Sequence, residues 1–65
     1  MQVYKLLDDK RSNKKDIIYG LKGELVYCIS PSGHVWIVEK VIKTLNGYKE
    51  TGLKFPILRE KLQAI

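Results

Sequence analysis

The sequence predicts a mostly β protein, with about five antiparallel strands in one domain spanning residues 1–65. Three observations carry this expectation. Apolar, β-compatible stretches are separated by turn signatures at Ser30-Pro31-Ser32-Gly33 and Asn46-Gly47, whose residues preset φ or tolerate positive φ. Gly23–Ser30 and His34–Lys43 are too rich in Val, Ile, Tyr and Trp to read as surface helices. Only the last ten residues have helical spacing.

In chain order, Val3–Leu7 is read as the first strand, closed by Asp8-Asp9, which hydrogen-bond locally in turns. Lys10–Asp16 has no apolar residue and reads as a solvated loop. Ile17-Ile18-Tyr19 reads as the returning arm of that long hairpin-like loop, with Gly20 and Gly23 bracketing a turn. In Gly23–Ser30, Val26 and Cys28 share one face, while Leu25, Tyr27 and Ile29 share the other. His34–Lys43 is the next strand, apolar on both faces until Glu39-Lys40, where a bulge, a bend or a protruding strand end is expected. Asn46-Gly47 then turns the chain into a strand from Tyr48 to Phe55, weakened at Gly52. For Pro56–Ile65 two readings stand: a short helix with Leu58, Leu62 and Ile65 on one face, or a 3₁₀ turn followed by an edge strand that buries Leu62 and Ile65.

Composition narrows the function classes. A chain of this length buries only about 60% of the surface its unfolded form exposes, so its core is small. Twelve Lys and Arg against seven Asp and Glu give a net charge of +5. At 45% hydrophobic residues the chain is too apolar for disorder, and its apolar runs are too short to cross a bilayer. A soluble globule with no membrane partner is expected. One Cys and one His provide neither an intrachain disulfide nor a four-ligand zinc site, so no metal or other cofactor is expected. The start Met1-Gln2-Val3-Tyr4-Lys5 does not read as a secretory leader, which makes a reducing cytoplasm the expected compartment.

The order of motifs resembles the SH3-like small β-barrel superfamily, including its KOW and Tudor-type members. The residues that carry the likeness are Asp16-Ile17-Ile18, Lys22-Gly23-Glu24-Leu25-Val26-Tyr27-Cys28-Ile29, Gly33-His34-Val35-Trp36-Ile37-Val38 and Gly52-Leu53-Lys54-Phe55-Pro56. The resemblance covers most of the chain and implies an SH3-like barrel with a 3₁₀ turn before its last strand. It also marks departures. Peptide-binding SH3 domains carry tyrosines where this chain has Leu6-Leu7-Asp8-Asp9, and a tyrosine after the Pro where it has Leu58 or Arg59. Their long loop is commonly acidic, whereas here it reads Lys10-Arg11-Ser12-Asn13-Lys14-Lys15, which suits an anionic partner.

Catalysis would need Cys28 or a serine activated by His34, the only imidazole. Cys28 shares a strand face with Val26 and reads as a buried small hydrophobe, and His34 as a solvated strand start. No carboxylate pair or phosphate-loop pattern stands out, so a non-catalytic binding module is expected. The residues singled out for binding nucleic acid are Lys10, Arg11, Lys14, Lys15 and Lys22, which could track phosphates, and Tyr19, Tyr27, Trp36 or Tyr48, which could stack on bases where they face outward. The alternative is a protein-interaction module, peptide-binding or self-associating as a homo-oligomer through a strand edge or through Leu58, Leu62 and Ile65.

Overall fold

The computed structural model describes residues 2–14 and 16–65. It contains β1 (Val3–Leu6), β2 (Lys10–Arg11), β3 (Ile18–Gly20), β4 (Leu25–Ser30), β5 (Val35–Thr44), β6 (Gly47–Leu58), a 3₁₀ turn (Arg59–Lys61) and β7 (Leu62–Ala64). Five strands form one antiparallel sheet in the order β6-β5-β4-β1-β7, and β2 and β3 form a separate two-stranded ribbon. The expected meander over Gly23–Phe55 is present as β4-β5-β6. Among the described residues no helix is long and apolar enough to cross a membrane.

The core is built by alternation on these strands. Leu6, Val26, Val38, Phe55, Ile57 and Leu62 form one buried cluster, with Tyr4, Tyr19, Trp36 and Leu53 packed around it. Val26 and Val38 are fully buried, but Cys28, expected to be buried on the same face as Val26, is only half-buried. It lies next to the register shift between Cys28 and Ser30, where β4 leaves its regular pairing with β5.

Both turns differ in position from the expectation. The first is Ser32–Val35, closed by the Val35 N–H donating to Ser32 O at 3.3 Å, rather than Ser30–Gly33. The second pairs Thr44 with Gly47 across Leu45-Asn46, one residue earlier than a turn centred on Asn46-Gly47. Glycine decides both cases: Gly33 has φ 60° and Gly47 φ 127°, values that side chains disfavour. Thr44 Oγ1 fixes the second turn by accepting the Asn46 N–H and donating to Gly47 O.

The irregularity expected at Glu39-Lys40 is a bulge, and its extra residues come from β6. Glu39 pairs with Lys54 and Val41 with Glu50, so Lys40 alone faces Thr51, Gly52 and Leu53. Glu39 does not emerge into water but is 4% exposed. β6 also runs beyond Phe55 to Leu58, through Pro56, because it is the edge strand of the sheet and a missing N–H there breaks no ladder.

The C-terminal segment takes the 3₁₀-plus-strand alternative, with β7 pairing β1 through Leu6↔Leu62. Leu62 is buried, while Leu58 and Ile65 are exposed, so neither the helical face nor a buried Ile65 is realised. Gly20 also has a different role from the turn glycine expected. It is buried at the end of β3, where a Cβ would stand 2.6 Å from Leu6 Cδ1.

Candidate functional site

The basic segment begins where Asp8-Asp9 turn the chain out of β1. Lys10 and Arg11 are then ordered as β2, pairing Gly20 and Ile18 with a register shift between them. The loop expected to be wholly solvated is thus a short ribbon at its base. At its distal end the Ser12 N–H donates to Ile17 O at 2.8 Å, and Ser12 Oγ donates to Asp16 Oδ1 at 2.9 Å. Arg11 and Lys14 are exposed and Lys10 is half-buried, while Lys15 lies outside the described residues. Lys22 is exposed in the following turn, which is fixed by its own N–H donating to Asp9 Oδ1 at 2.8 Å. The Leu21 N–H donates to Glu24 Oε1 at 2.6 Å in the same turn.

The acids around this ribbon are engaged. Asp8 pairs with Lys61 at 3.1 Å, Asp9 holds the Lys22 amide and Asp16 holds Ser12. Glu24 pairs with Lys40 at 2.9 Å. The Leu21 amide and then the Lys40 ammonium hold the Glu24 carboxyl below its ordinary pKa. Among the described residues Lys10, Arg11, Lys14 and Lys22 have no ion-pair partner. Lys10 also borders a shallow cleft of about 210 Å³ with Asp8, Asp9, Ile57, Leu58 and Lys61, whose mixed charge favours no single ligand sign.

Of the aromatic residues singled out as stacking platforms, Tyr48 is exposed and Tyr19, Tyr27 and Trp36 are committed within the protein. Tyr19 stacks on Phe55 at a centroid distance of 5.3 Å and 7° between planes, which seats the ribbon on the core. Tyr27 donates its hydroxyl to Glu39 Oε1 at 3.2 Å, and the Gly52 N–H donates to Glu39 Oε2 at 2.8 Å. Partial removal from water, then the neighbouring Glu50 and Glu39 carboxylates, push the Tyr27 phenol up to about 12. A ring held beside two carboxylates is a poor seat for a phosphodiester strand. Trp36 meets the edge of Tyr4 at 5.5 Å and 78°, and the Arg59 guanidinium stands 4.9 Å over its ring. Arg59 also lies 5.3 Å over Tyr4 and donates from Nη1 to Leu62 O at 3.0 Å. The sequence shows Arg59 only as the residue near the place of a missing tyrosine, and the strand pairing that brings it over Trp36 is not legible there.

Trp36, on β5, is therefore held between Tyr4 of β1 and Arg59 of the 3₁₀ turn, and the cation over its ring is Arg59 rather than one of the ribbon. Burial raises the Cys28 thiol above its ordinary pKa, partly offset by a hydrogen bond from the Ser30 backbone, which keeps it protonated and a weak nucleophile. His34 is exposed before β5, as expected. No group of three or more His, Cys, Asp and Glu side chains that could hold a metal ion occurs among the described residues. Comparison with protein-family models, curated proteins and solved structures finds no match.

Proposed function

We propose that the chain is a non-catalytic binding module of SH3-like barrel type that holds nucleic acid by its phosphate backbone through the ribbon from Lys10 to Gly20 and the turn that follows. The barrel reading is supported by the adjacent terminal strands β1 and β7, the 3₁₀ turn before β7 and the long ribbon between β1 and β4. The functional reading is carried by one observation: the cations of this ribbon lack ion-pair partners among the described residues, while the neighbouring acids are already engaged. Such cations keep their electrostatic reach for a polyanion and release its counterions on contact. Because Tyr19, Tyr27 and Trp36 are occupied internally, the affinity comes from charge and not from base stacking.

The test is titration of labelled single- and double-stranded oligonucleotides at several salt concentrations. A variant with Lys10, Arg11, Lys14 and Lys22 changed to Gln is measured beside the parent. On duplex the slope of log K against log salt is about 0.9 per neutralised phosphate, so four contacts correspond to a loss of about 3.6. Parent protein that shows no salt-sensitive binding at low ionic strength sinks this reading.

A second reading, protein interaction, has an observation of its own. Val35 pairs with Leu58 and Ile37 with Pro56, so these four side chains form an apolar block on one face of β5-β6. Val35, Ile37 and Leu58 remain 45%, 38% and 43% exposed. Binding to that face would be nearly insensitive to salt, which separates it from the first reading.

A further inference from the structure

The distal half of the β5–β6 hairpin contributes no residue to the buried core. Val41 is the last buried residue of β5, and the chain is not buried again until Phe55. Between them Ile42, Leu45 and Tyr48 are exposed large apolar side chains, with Leu45 completely open at the turn. At about 3.4 Å per residue the turn stands about 13 Å beyond Val41. Lys43 and Lys49 have no ion-pair partner among the described residues. The register puts them on opposite faces of this arm, since Lys43 pairs with Tyr48 and Lys49 with Ile42. The only acid from Val41 to Glu50 is Glu50 itself, at the base of the arm opposite Val41.

We infer that this arm enters the major groove of B-form duplex DNA, with Leu45 and Asn46 at the base edges and Lys43 and Lys49 on the phosphates of the two groove walls. The inference rests on the nucleic-acid reading above and names the form of nucleic acid and a second contact surface. Geometry and charge both support it. A major groove about 12 Å wide and 8.5 Å deep admits a two-stranded β-ribbon, and an arm of this length reaches its floor. One cation on each face suits a groove whose two walls both carry phosphates. An exposed leucine fits a thymine methyl, and an asparagine amide fits the adenine edge. The A-form major groove of RNA is too narrow for such an arm.

The experiment compares Lys43→Gln/Lys49→Gln, Leu45→Ser and the ribbon variant with the parent. The probes are a labelled DNA duplex, its single strand, the same duplex with uracil in place of thymine, and vesicles of phosphatidylcholine with phosphatidylserine. The arm lysine variant is expected to lose about 1.8 from the salt slope on duplex, at 0.9 per phosphate. Leu45→Ser and the uracil duplex are each expected to weaken duplex binding about fivefold, an apolar contact smaller than a bidentate base pairing, with single-strand binding unchanged. If the ribbon variant loses binding while the arm variants bind duplex as the parent does, the arm inference is overturned and the ribbon reading stands. Parent protein that binds no oligonucleotide overturns both, and Leu45-dependent binding to the vesicles instead assigns the arm to an anionic membrane surface.

Discussion

Gly20→Ala is a one-carbon change that tests whether the basic ribbon is seated on the core. The added Cβ would lie 2.6 Å from Leu6 Cδ1 and 3.8 Å from Phe55 Cζ. Favourable carbon contacts lie at about 3.5–4.0 Å, so the overlap with Leu6 is about 1 Å. Leu6 is 1% exposed and Phe55 2% exposed, so neither ring nor methyl can withdraw into solvent. Either Leu6 leaves its rotamer or the ribbon lifts from the sheet, and overpacking of this kind costs about 1–3 kcal/mol. For a chain of this length, total stability at about 0.05–0.15 kcal/mol per residue is only about 3–10 kcal/mol, so the effect is readily measured. The assay is urea unfolding followed by the fluorescence of Trp36, the one tryptophan. Leu6→Ala alone should cost about 2–5 kcal/mol. The double variant should cost clearly less than the sum, because truncating Leu6 removes the atom that the new methyl strikes. Additivity within about 0.5 kcal/mol would refute the packing of Gly20 on Leu6.

Val26→Asp puts an unpaired carboxylate at a fully buried position, so circular dichroism should show an unfolded chain at neutral pH; an unchanged melting temperature would contradict the assigned interior. Glu39→Ala removes the acceptor for both the Tyr27 hydroxyl and the Gly52 amide and should cost about 1–3 kcal/mol. Combined with Tyr27→Phe it should show positive coupling in a double-mutant cycle, and its absence would mean that the 3.2 Å contact contributes nothing. Glu24 has a lowered pKa in the folded protein, so its contribution is fully present above the ordinary carboxyl range and disappears as pH falls through the folded value, where the unfolded chain already holds the proton. The stability difference between the parent and Glu24→Gln should therefore shrink as pH falls from neutral to below the ordinary carboxyl range; a constant difference would rule out the Leu21 and Lys40 contacts as its source.

The strands were legible because the residues that make them are locally consistent. Val26, Val38 and Phe55 announce a sheet by alternation and by β-branched or aromatic shape, and the fold follows them. Turn positions were less legible, because a dipeptide such as Asn46-Gly47 states what φ it tolerates but not which of its residues must use it. In the structure Gly47 takes a positive φ just after the turn, and Thr44 moves the turn forward by bonding to Asn46 and Gly47. The C-terminal segment could not be decided locally, since the 3.6-residue spacing of Leu58, Leu62 and Ile65 is real but weak in ten residues. What decides it is the free edge of β1, a partner distant in sequence whose pairing with β7 outweighs a marginal helix. The seat of Gly20 on Leu6 is long-range in the same sense.

The same physics separates the parts of the candidate site that could be read from those that could not. Lysine is rarely buried unpaired, so a run such as Lys10-Arg11-Ser12-Asn13-Lys14 is recognisable as surface whatever the fold around it. Aromatic residues carry no such guarantee. A chain this short has few large apolar side chains with which to fill a core, and it draws on most of its rings for that purpose: Tyr19 against Phe55, Tyr4 against Trp36, and Trp36 under Arg59. Tyr27 is drawn in by a different need, because Glu39 is buried at the bulge and requires donors. The aromatic residue that escapes both demands is Tyr48, exposed on the arm across from Lys43. An aromatic ring left partly open to solvent, beside a cation without an ion-pair partner among the described residues, is the combination expected where the partner is another molecule. For that reason the arm, which the sequence marks by a hairpin turn and by Tyr48 among the candidate stacking rings, bears on function as directly as the basic ribbon does.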